Sequence, residues 1–128
     1  MQTCMTPARF HSFIKSVLRG ASMKWPPINA VRKKARVRRG YYLCNGCKQV
    51  VPASIVVTLK NGKTKRVKNA IVDHIDPVIP PSGFTSWDEV VDRMFVDEEG
   101  LQLLCRACHE EKTKRETDER ASQRLSSV

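Results

Sequence analysis

The sequence predicts one α+β domain that is fastened by a four-cysteine metal site and preceded by basic helices. Three observations support this fold class. Two CxxC pairs lie far apart in the chain, helical periodicity marks the first 40 residues, and β-branched segments lie between the two pairs. A length of 128 residues fits one domain and leaves little room for a second core.

Two helices are expected before residue 41. The apolar spacing from Phe10 to Leu18 predicts a first amphipathic helix that ends near Gly20. After a Trp-Pro-Pro break, a second helix is expected from Ile28 to Arg39, with Gly40 as its C-terminal stop. This second helix is strongly basic and weakly apolar, which favours contact with a DNA backbone over a place in the core. A merely solvated helix is the alternative.

Strands are expected in the middle of the chain. Ser54–Leu59 and a return strand over Lys63–Val67 flank Asn61-Gly62, which is a strong signal for a type I′ hairpin turn. The remaining elements are an extended segment over residues 70–72, a short helix opened by a capping box at Ser86–Glu89, a short buried strand or turn over 101–104, and a final helix from Arg106 to Ala121.

Charge is distributed unevenly along the chain. Residues 1–72 contain 16 Lys or Arg and no Asp or Glu, whereas residues 73–128 contain 7 basic and 13 acidic residues. A solvated surface normally mixes both signs. An acid-free half suits a polyanion, because each cation that neutralises a phosphate releases condensed counterions. Nucleic acid is therefore the expected partner, and a solubilising charged face is the alternative.

Four of the five cysteines form two CxxC pairs, Cys44 with Cys47 and Cys105 with Cys108. A CxxC turn can place both sulfurs on one tetrahedral ion at ~2.3 Å. The pairs lack the thioredoxin-like βαβ pattern of a redox motif. Because four thiolates leave no position for water, the predicted Zn²⁺ is structural, and a chain with a modest core should need it to fold. The 57 residues between the pairs imply a functional insert.

Three further residues carry the predicted chemistry. Asp73 and His74 are adjacent, so at a strand end their side chains would point to opposite faces, one toward a metal and one toward substrate. His109 directly follows Cys108, so the zinc site would fix its position, and it would complete a metal site with Asp73. Asp and His with open water positions suit Mg²⁺, Mn²⁺, Ni²⁺ or Zn²⁺.

The segments Val72–Ile75 and Leu101–Thr113, the latter containing LCRACHEEKT, resemble the HNH endonucleases with the ββα-metal (His-Me finger) fold. The chain is most similar to the small zinc-containing HNH proteins of bacteriophages, with further likeness at Trp25-Pro26-Pro27, at the first CxxC pair and at Gly83–Glu89. The likeness covers roughly Phe10 to Glu116. It implies a metal-dependent DNA endonuclease, such as a phage homing or packaging-linked nuclease.

The resemblance implies a role for each residue. His74 would be the general base that activates water, and Asp73 and His109 would hold the divalent cation that stabilises the leaving 3′ oxygen. The products would be 5′-phosphate and 3′-hydroxyl ends on double-stranded DNA. Nicking and double-strand cleavage both stay open, as do a monomer and a homodimer. The resemblance also makes Lys112 a candidate phosphate contact, although a lysine at that spacing is equally well a charge on a helix face. The charge pattern of the second helix adds Arg32, Lys33, Arg36 and Arg39 as expected DNA contacts.

One position departs from the family pattern. The motif Asn usually stands just before the Leu-Gln pair, and here that position is Gly100. Gln102 and Asn69 are candidate substitutes, although neither aligns with the motif, and a backbone group could do the orienting instead. The second hypothesis is thus a zinc-stabilised DNA-binding protein with weakened or lost catalysis. A third is an interaction protein whose basic half binds RNA or a host factor.

The expected organisation is a basic helical extension over residues 1–40, a zinc-bound nuclease core over 41–121 and a disordered tail over 122–128. No segment approaches the ~18 apolar residues that span a bilayer, and the N-terminus lacks the apolar core of a signal peptide. The chain is therefore expected in the cytoplasm, that of the host bacterium if it is phage-encoded, where thiols stay reduced.

Overall fold

The computed structural model describes residues 4–126 of the chain. Within them it shows a mixed α+β structure with four α-helices, three small antiparallel sheets and a cluster of four cysteines. In chain order the elements are α1 (Pro7–Ser22), α2 (Pro26–Ala35), β1 (Arg36–Arg38), β2 (Tyr41–Leu43), β3 (Val50–Pro52), β4 (Ser54–Thr58), β5 (Thr64–Lys68), β6 (Ala70–His74), α3 (Trp87–Met94), a 3₁₀ turn (Glu98–Gly100), β7 (Leu101–Cys105) and α4 (Arg106–Ser126). Each helix among residues 4–126 is too short or too polar to span a lipid bilayer.

The second helix is shorter than the sequence predicts. It ends at Ala35, and the next three residues form β1, which pairs antiparallel with β2 in the sheet β1-β2-β3. Gly40 does have a positive φ, +82°, but it turns the chain between these strands instead of ending a helix. The Arg38 guanidinium lies 4.2 Å from the centre of the Tyr41 ring, which adds a cation–π contact to the pair. The predicted helix over Ile28–Arg39 was therefore wrong beyond Ala35.

The β4–β5 hairpin is confirmed, but its turn is not the predicted type. The strands pair from Ser54 opposite Lys68 to Thr58 opposite Thr64. A type I′ turn needs positive φ at both central residues, whereas Gly62 has φ +83° and Asn61 does not share this conformation. The Gly62 N–H donates to the Leu59 carbonyl at 3.0 Å, so the left-handed glycine closes a longer loop.

The unit β6–β7–α4 positions the candidate site. β6 pairs antiparallel with β7, and α4 follows β7 directly and packs against both strands. Asp73 and His74 therefore end β6 beside the first turns of α4, which begin at Arg106. The helix α4 runs to Ser126, so residues 122–126 of the expected tail are helical, and residues 127 and 128 lie outside the described part of the chain.

The buried core is small, and the predicted buried strand over residues 101–104 belongs to it. The strand β7 is buried except at Gln102, and Val90 and Met94 of α3 are buried. The predicted N-terminal cap of α3 is confirmed, because the Ser86 hydroxyl accepts from the Glu89 N–H at 3.1 Å. Within residues 4–126 the buried apolar residues are Cys44, Ala70, Val90, Met94, Leu101, Leu103, Leu104 and Cys105. With so few, a metal cross-link between distant segments would contribute much of the stability.

Candidate active site and metal centre

The two CxxC pairs meet in space, although 57 residues separate them in sequence. The Sγ atoms of all four cysteines lie within 4.8 Å of one another. A tetrahedral Zn²⁺ with bonds of ~2.3 Å needs sulfurs about 3.8 Å apart, which is close to this arrangement. Cys44, Cys47, Cys105 and Cys108 could therefore hold a structural zinc ion.

The first CxxC turn is shaped to surround its sulfur. The Cys44 Sγ accepts hydrogen bonds from the backbone N–H groups of Gly46 at 3.3 Å and Cys105 at 3.2 Å. Lys48 closes the turn in the left-handed region, with φ +61°. A Cβ atom at Gly46 would lie 3.0 Å from the Cys108 Sγ, so glycine permits the close approach of the two pairs.

The thiols of this cluster have divergent acidities. Burial raises the pKa of Cys44, but hydrogen bonds from the backbone of Cys105, Cys47 and Gly46 outweigh burial and lower its pKa to about 6. Hydrogen bonding to Cys105, burial and the Cys44 charge raise the pKa of Cys108 to about 12. Four neighbouring thiols cannot all ionise without a compensating cation, which is the charge that a divalent metal supplies.

The Asp73 carboxylate divides its two oxygens between different neighbours. Oδ2 accepts from the Lys112 ammonium at 3.0 Å and from the Gln102 amide at 3.3 Å. Oδ1 instead faces the His109 Nε2 at 3.7 Å. Two ligands at ~2.1 Å from one ion can be no more than about 4.2 Å apart, so Oδ1 and Nε2 can share a divalent cation. The donor set predicted from the sequence is thus brought together.

Lys112 is more enclosed than a phosphate contact would be. Its side chain is 13% exposed, and its ammonium contacts Asp73 Oδ2, the His74 carbonyl at 2.9 Å and Glu116 Oε2 at 3.1 Å. A lysine ammonium has three donors, and all three are used inside the protein. Lys112 therefore joins α4 to the end of β6 and holds one oxygen of the Asp73 carboxylate.

The His74 ring is held by a backbone group. Its Nε2 lies 2.7 Å from the Met94 carbonyl, at the last residue of α3. Because a carbonyl oxygen only accepts, Nε2 carries the hydrogen, and Nδ1 holds the lone pair of the neutral ring. This is the oriented tautomer that a general base requires. The sequence offered no signal for this contact, since a backbone carbonyl has no residue preference.

A chain of side-chain amides connects the four-cysteine cluster to Asp73. The Asn45 amide, inside the first CxxC turn, donates to Gln102 Oε1 at 3.0 Å, and Gln102 in turn donates to Asp73. The Lys48 ammonium contacts Asn45 Oδ1 at 2.8 Å. Of the two substitutes considered for the motif Asn, Gln102 supports the site. Asn69 instead bonds to the Pro52 carbonyl and the Arg106 N–H, outside the site.

Gly100 lies at the junction of the 3₁₀ turn and β7. Its carbonyl accepts from the Ile75 N–H at 2.9 Å, which ties the residue after His74 to the start of β7. A Cβ atom at this position would lie 2.8 Å from Val96 Cγ2 and 3.0 Å from Val96 Cβ. An Asn therefore does not fit here unless Val96 moves.

The basic residues predicted to contact DNA are scattered over different elements. Arg32 in α2 donates to the Ala70 carbonyl at 3.1 Å and is half-buried. Lys33 is exposed on the same helix, whereas Arg36 lies in β1 and Arg39 in the turn after it. They do not share the single helical face that the sequence pattern indicated.

A cleft of about 570 Å³ opens beside the end of β6, and its volume is in the range of ligand-binding clefts. Asp73, His74 and His109 all line it. Its cationic lining includes three residues that sequence reasoning missed, Lys15 and Arg19 of α1 and Arg120 of α4. Lys15 and Arg19 are four residues apart, so the sequence indicated that they share one face of a helix. It did not indicate which part of the protein that face lies against.

The chain matches no protein-family model, and comparison with curated proteins and with solved structures gives no significant match.

Proposed function

We propose that this chain is a metal-dependent DNA endonuclease of the HNH type, with a ββα-metal core built from β6, β7 and α4. The observation that carries the proposal is the convergence of three residues on one cleft. Asp73 Oδ1 and His109 Nε2 lie 3.7 Å apart, and the adjacent His74 ring is held in one tautomer by the Met94 carbonyl. A pair of cation ligands beside an oriented base is the arrangement that phosphodiester hydrolysis needs.

In this proposal each residue has a separate task. His74 accepts the proton of the attacking water at Nδ1, while its Nε2–H stays bonded to Met94. Asp73 and His109 hold a divalent cation, Mg²⁺, Mn²⁺, Ni²⁺ or Zn²⁺, whose chemistry is to stabilise charge on the leaving 3′ oxygen. Lys112 and Gln102 keep Asp73 Oδ2 in place, so that Oδ1 stays directed toward His109. A structural Zn²⁺ at the four cysteines fixes the start of α4 and with it His109.

A catalytically weakened DNA-binding protein is the second candidate, and Gly100 is the observation that favours it. The side chain that the HNH motif usually has at this position is missing, and Val96 fills the space where its Cβ would lie. Two contacts argue for retained activity. The Met94 carbonyl orients the base, and Gln102 supports Asp73, so the site has its own supports without the motif Asn.

The test is relaxation of supercoiled plasmid by the full, zinc-loaded chain with Mg²⁺, Mn²⁺, Ni²⁺ or Zn²⁺ added in turn. Wild type is expected to nick with at least one cation and to leave 5′-phosphate and 3′-hydroxyl ends. His74→Ala should lose at least about 100-fold in rate, the usual contribution of a general base. Asp73→Ala should also lose activity, because it removes a ligand of the proposed cation. Asp118→Ala is the matched control for Asp73→Ala, because Asp118 is exposed on α4 and does not line the cleft.

Zinc content and circular dichroism of every variant separate loss of chemistry from loss of folding. Salt-sensitive DNA binding without cleavage in any of the four cations would select the DNA-binding candidate. Nicking that persists in His74→Ala would contradict the proposed role of this site.

A further inference from the structure

The helix α1 contributes a wall to the cleft beside Asp73. Lys15, Arg19 and Ser22 are spaced by four and three residues, so they share one face of α1, and all three line the cleft. Arg120 of α4 lines it as well. A helix from the N-terminal extension and the last helix of the core thus both present cations to the space in which His74 and His109 lie.

These three cations have no anionic partner among residues 4–126. The ion pairs of that range use Lys34, Arg106, His109 and Lys112, and no side-chain hydrogen bond there includes the charged groups of Lys15, Arg19 or Arg120. Lys112, by contrast, has all three of its donors engaged. The cations available to an anionic ligand in this cleft are therefore Lys15, Arg19 and Arg120.

The position of α1 is linked to the reactive residues. The His11 ring packs with its centre 4.6 Å from those of both Phe84 and Trp87. Trp87 begins α3, and the last residue of α3, Met94, holds the His74 ring. The contact at His11 therefore anchors α1 to the element that orients His74, and it keeps the Lys15–Arg19 face directed at the cleft.

The basic surface of α2 is less suited to the same task. Arg32 is tied to the Ala70 carbonyl, and Lys34 is paired with Glu98 at 2.7 Å. Lys33, Arg36 and Arg39 do not line the cleft that contains His74 and His109. A strand held by Lys33, Arg36 and Arg39 would therefore be bound by residues that do not line the cleft beside His109.

We infer that α1 and the middle of α4 form the binding wall for the cleaved DNA strand, with Lys15, Arg19 and Arg120 contacting phosphates on either side of the scissile bond. This inference rests on the proposed function, because it assigns the substrate surface of that same site. The phosphate contacts are then Lys15, Arg19 and Arg120, and not Lys112 and the residues of the α2 region that the sequence pattern indicated.

The test is binding of a short fluorescein-labelled DNA duplex, followed by anisotropy over a range of salt concentrations without added divalent cation. The cleft variant is Lys15→Gln/Arg19→Gln/Arg120→Gln, and Lys15→Gln/Arg19→Gln is a milder second form. The rival variant is Lys33→Gln/Arg36→Gln/Arg39→Gln. The charge-matched control is Lys60→Gln/Lys63→Gln/Lys65→Gln, on the β4–β5 hairpin and its loop, which lines no part of the cleft.

We expect the cleft variant to weaken binding by about tenfold or more and to reduce the slope of log K against log salt by about 0.9 per lost contact. The two-residue variant should reduce the slope by about two thirds as much as the three-residue variant does. The rival and control variants should retain most of the wild-type slope.

Wild-type binding that survives unchanged in both cleft variants, with zinc content intact, would overturn this inference and leave the proposed function standing. Loss of slope in the rival variant alone would overturn it in the same way. If the wild type bound no DNA and cleaved none, the proposed function would fail together with the inference.

Discussion

Replacing Gly100 by alanine adds one methyl group at the position where the motif usually has an Asn. The substitution tests whether the packing around this position is as tight as the structure indicates. In Gly100→Ala the new Cβ would lie 2.8 Å from Val96 Cγ2 and 3.0 Å from Val96 Cβ. Valine has no flexible end to move aside, and its Cβ is fixed to the backbone, so the chain itself must shift. Overpacking of this kind costs typically about 1–3 kcal/mol.

The matched control is Gly20→Ala, because a Cβ at Gly20 in α1 meets nothing within 4 Å. Replacing a helical glycine by alanine there should stabilise the fold by about 0.5–1 kcal/mol. The two substitutions add the same methyl group, but the structure predicts changes of opposite sign in the free energy of unfolding, because only the group at position 100 meets a neighbour. For a chain of this size, Gly100→Ala should lower the melting temperature by about 4–12 °C.

The assay is urea unfolding in the presence of zinc, followed by tryptophan fluorescence, to which Trp25 contributes through an indole whose N–H bonds to the Val96 carbonyl at 2.7 Å. The double variant Gly100→Ala/Val96→Ala should be more stable than the sum of the single effects predicts, by about 0.5 kcal/mol or more, because removing the Val96 methyl groups relieves part of the clash. A Gly100→Ala protein as stable as wild type, or strictly additive effects, would refute tight packing at position 100. Gly100→Asn carries the same Cβ, so restoring the motif residue should destabilise the fold too.

Four other outcomes are expected. Cys108→Ser should lose zinc and cooperative unfolding, as measured by metal analysis and circular dichroism. In the wild type, zinc uptake by the metal-free protein at neutral pH should release protons, because the raised pKa of Cys108, about 12, keeps that thiol neutral until the metal binds. The pKa of Cys44 without metal is lowered to about 6, so its contribution to stability is complete above the unfolded value and is lost as pH falls through about 6. Zinc affinity, measured with a competing colorimetric chelator, should therefore fall more steeply with decreasing pH below about 6 than above it, and an unchanged slope across that pH would contradict the assignment. Gln102→Leu should weaken divalent-cation binding at Asp73 by about 10-fold or more, by titration calorimetry, with structural zinc unchanged. Lys112→Met leaves Asp73 and Glu116 without their shared cation and should destabilise the fold by about 1–3 kcal/mol in urea unfolding, whereas an unchanged midpoint would show that the ammonium is dispensable.

The sequence was most informative where chemistry or turn geometry restricts the residue type. The four cysteines, the Ser86 cap and the buried strand β7 were all predicted from residue types that suit few other structural roles. The juxtaposition of Asp73 with His109 also followed, because Cys108 fixes the residue after it.

What the sequence did not predict depends on tertiary contacts. The strand β1 replaces the end of a helix because the chain turns back at Gly40 and pairs with β2, which local propensity does not record. The orientation of His74 depends on the Met94 carbonyl, and every residue has a carbonyl. Lys112 has the residue type of a phosphate contact, but its ammonium binds three acceptors inside the protein. These acceptors lie at the end of β6 and in α4, which come together only in the folded chain, so the sequence did not indicate the contact.

The most direct test of His74 as the general base is chemical rescue of a His74→Ala variant with imidazole in the plasmid-nicking assay. Truncation of His74 leaves space in the cleft and frees the Met94 carbonyl, which can accept a hydrogen bond from added imidazole and hold its other nitrogen near the attacking water. We predict that imidazole restores metal-dependent nicking in His74→Ala and leaves Asp73→Ala inactive. Equal imidazole response in both variants, or a His74→Ala protein that nicks as fast as wild type, would contradict this role.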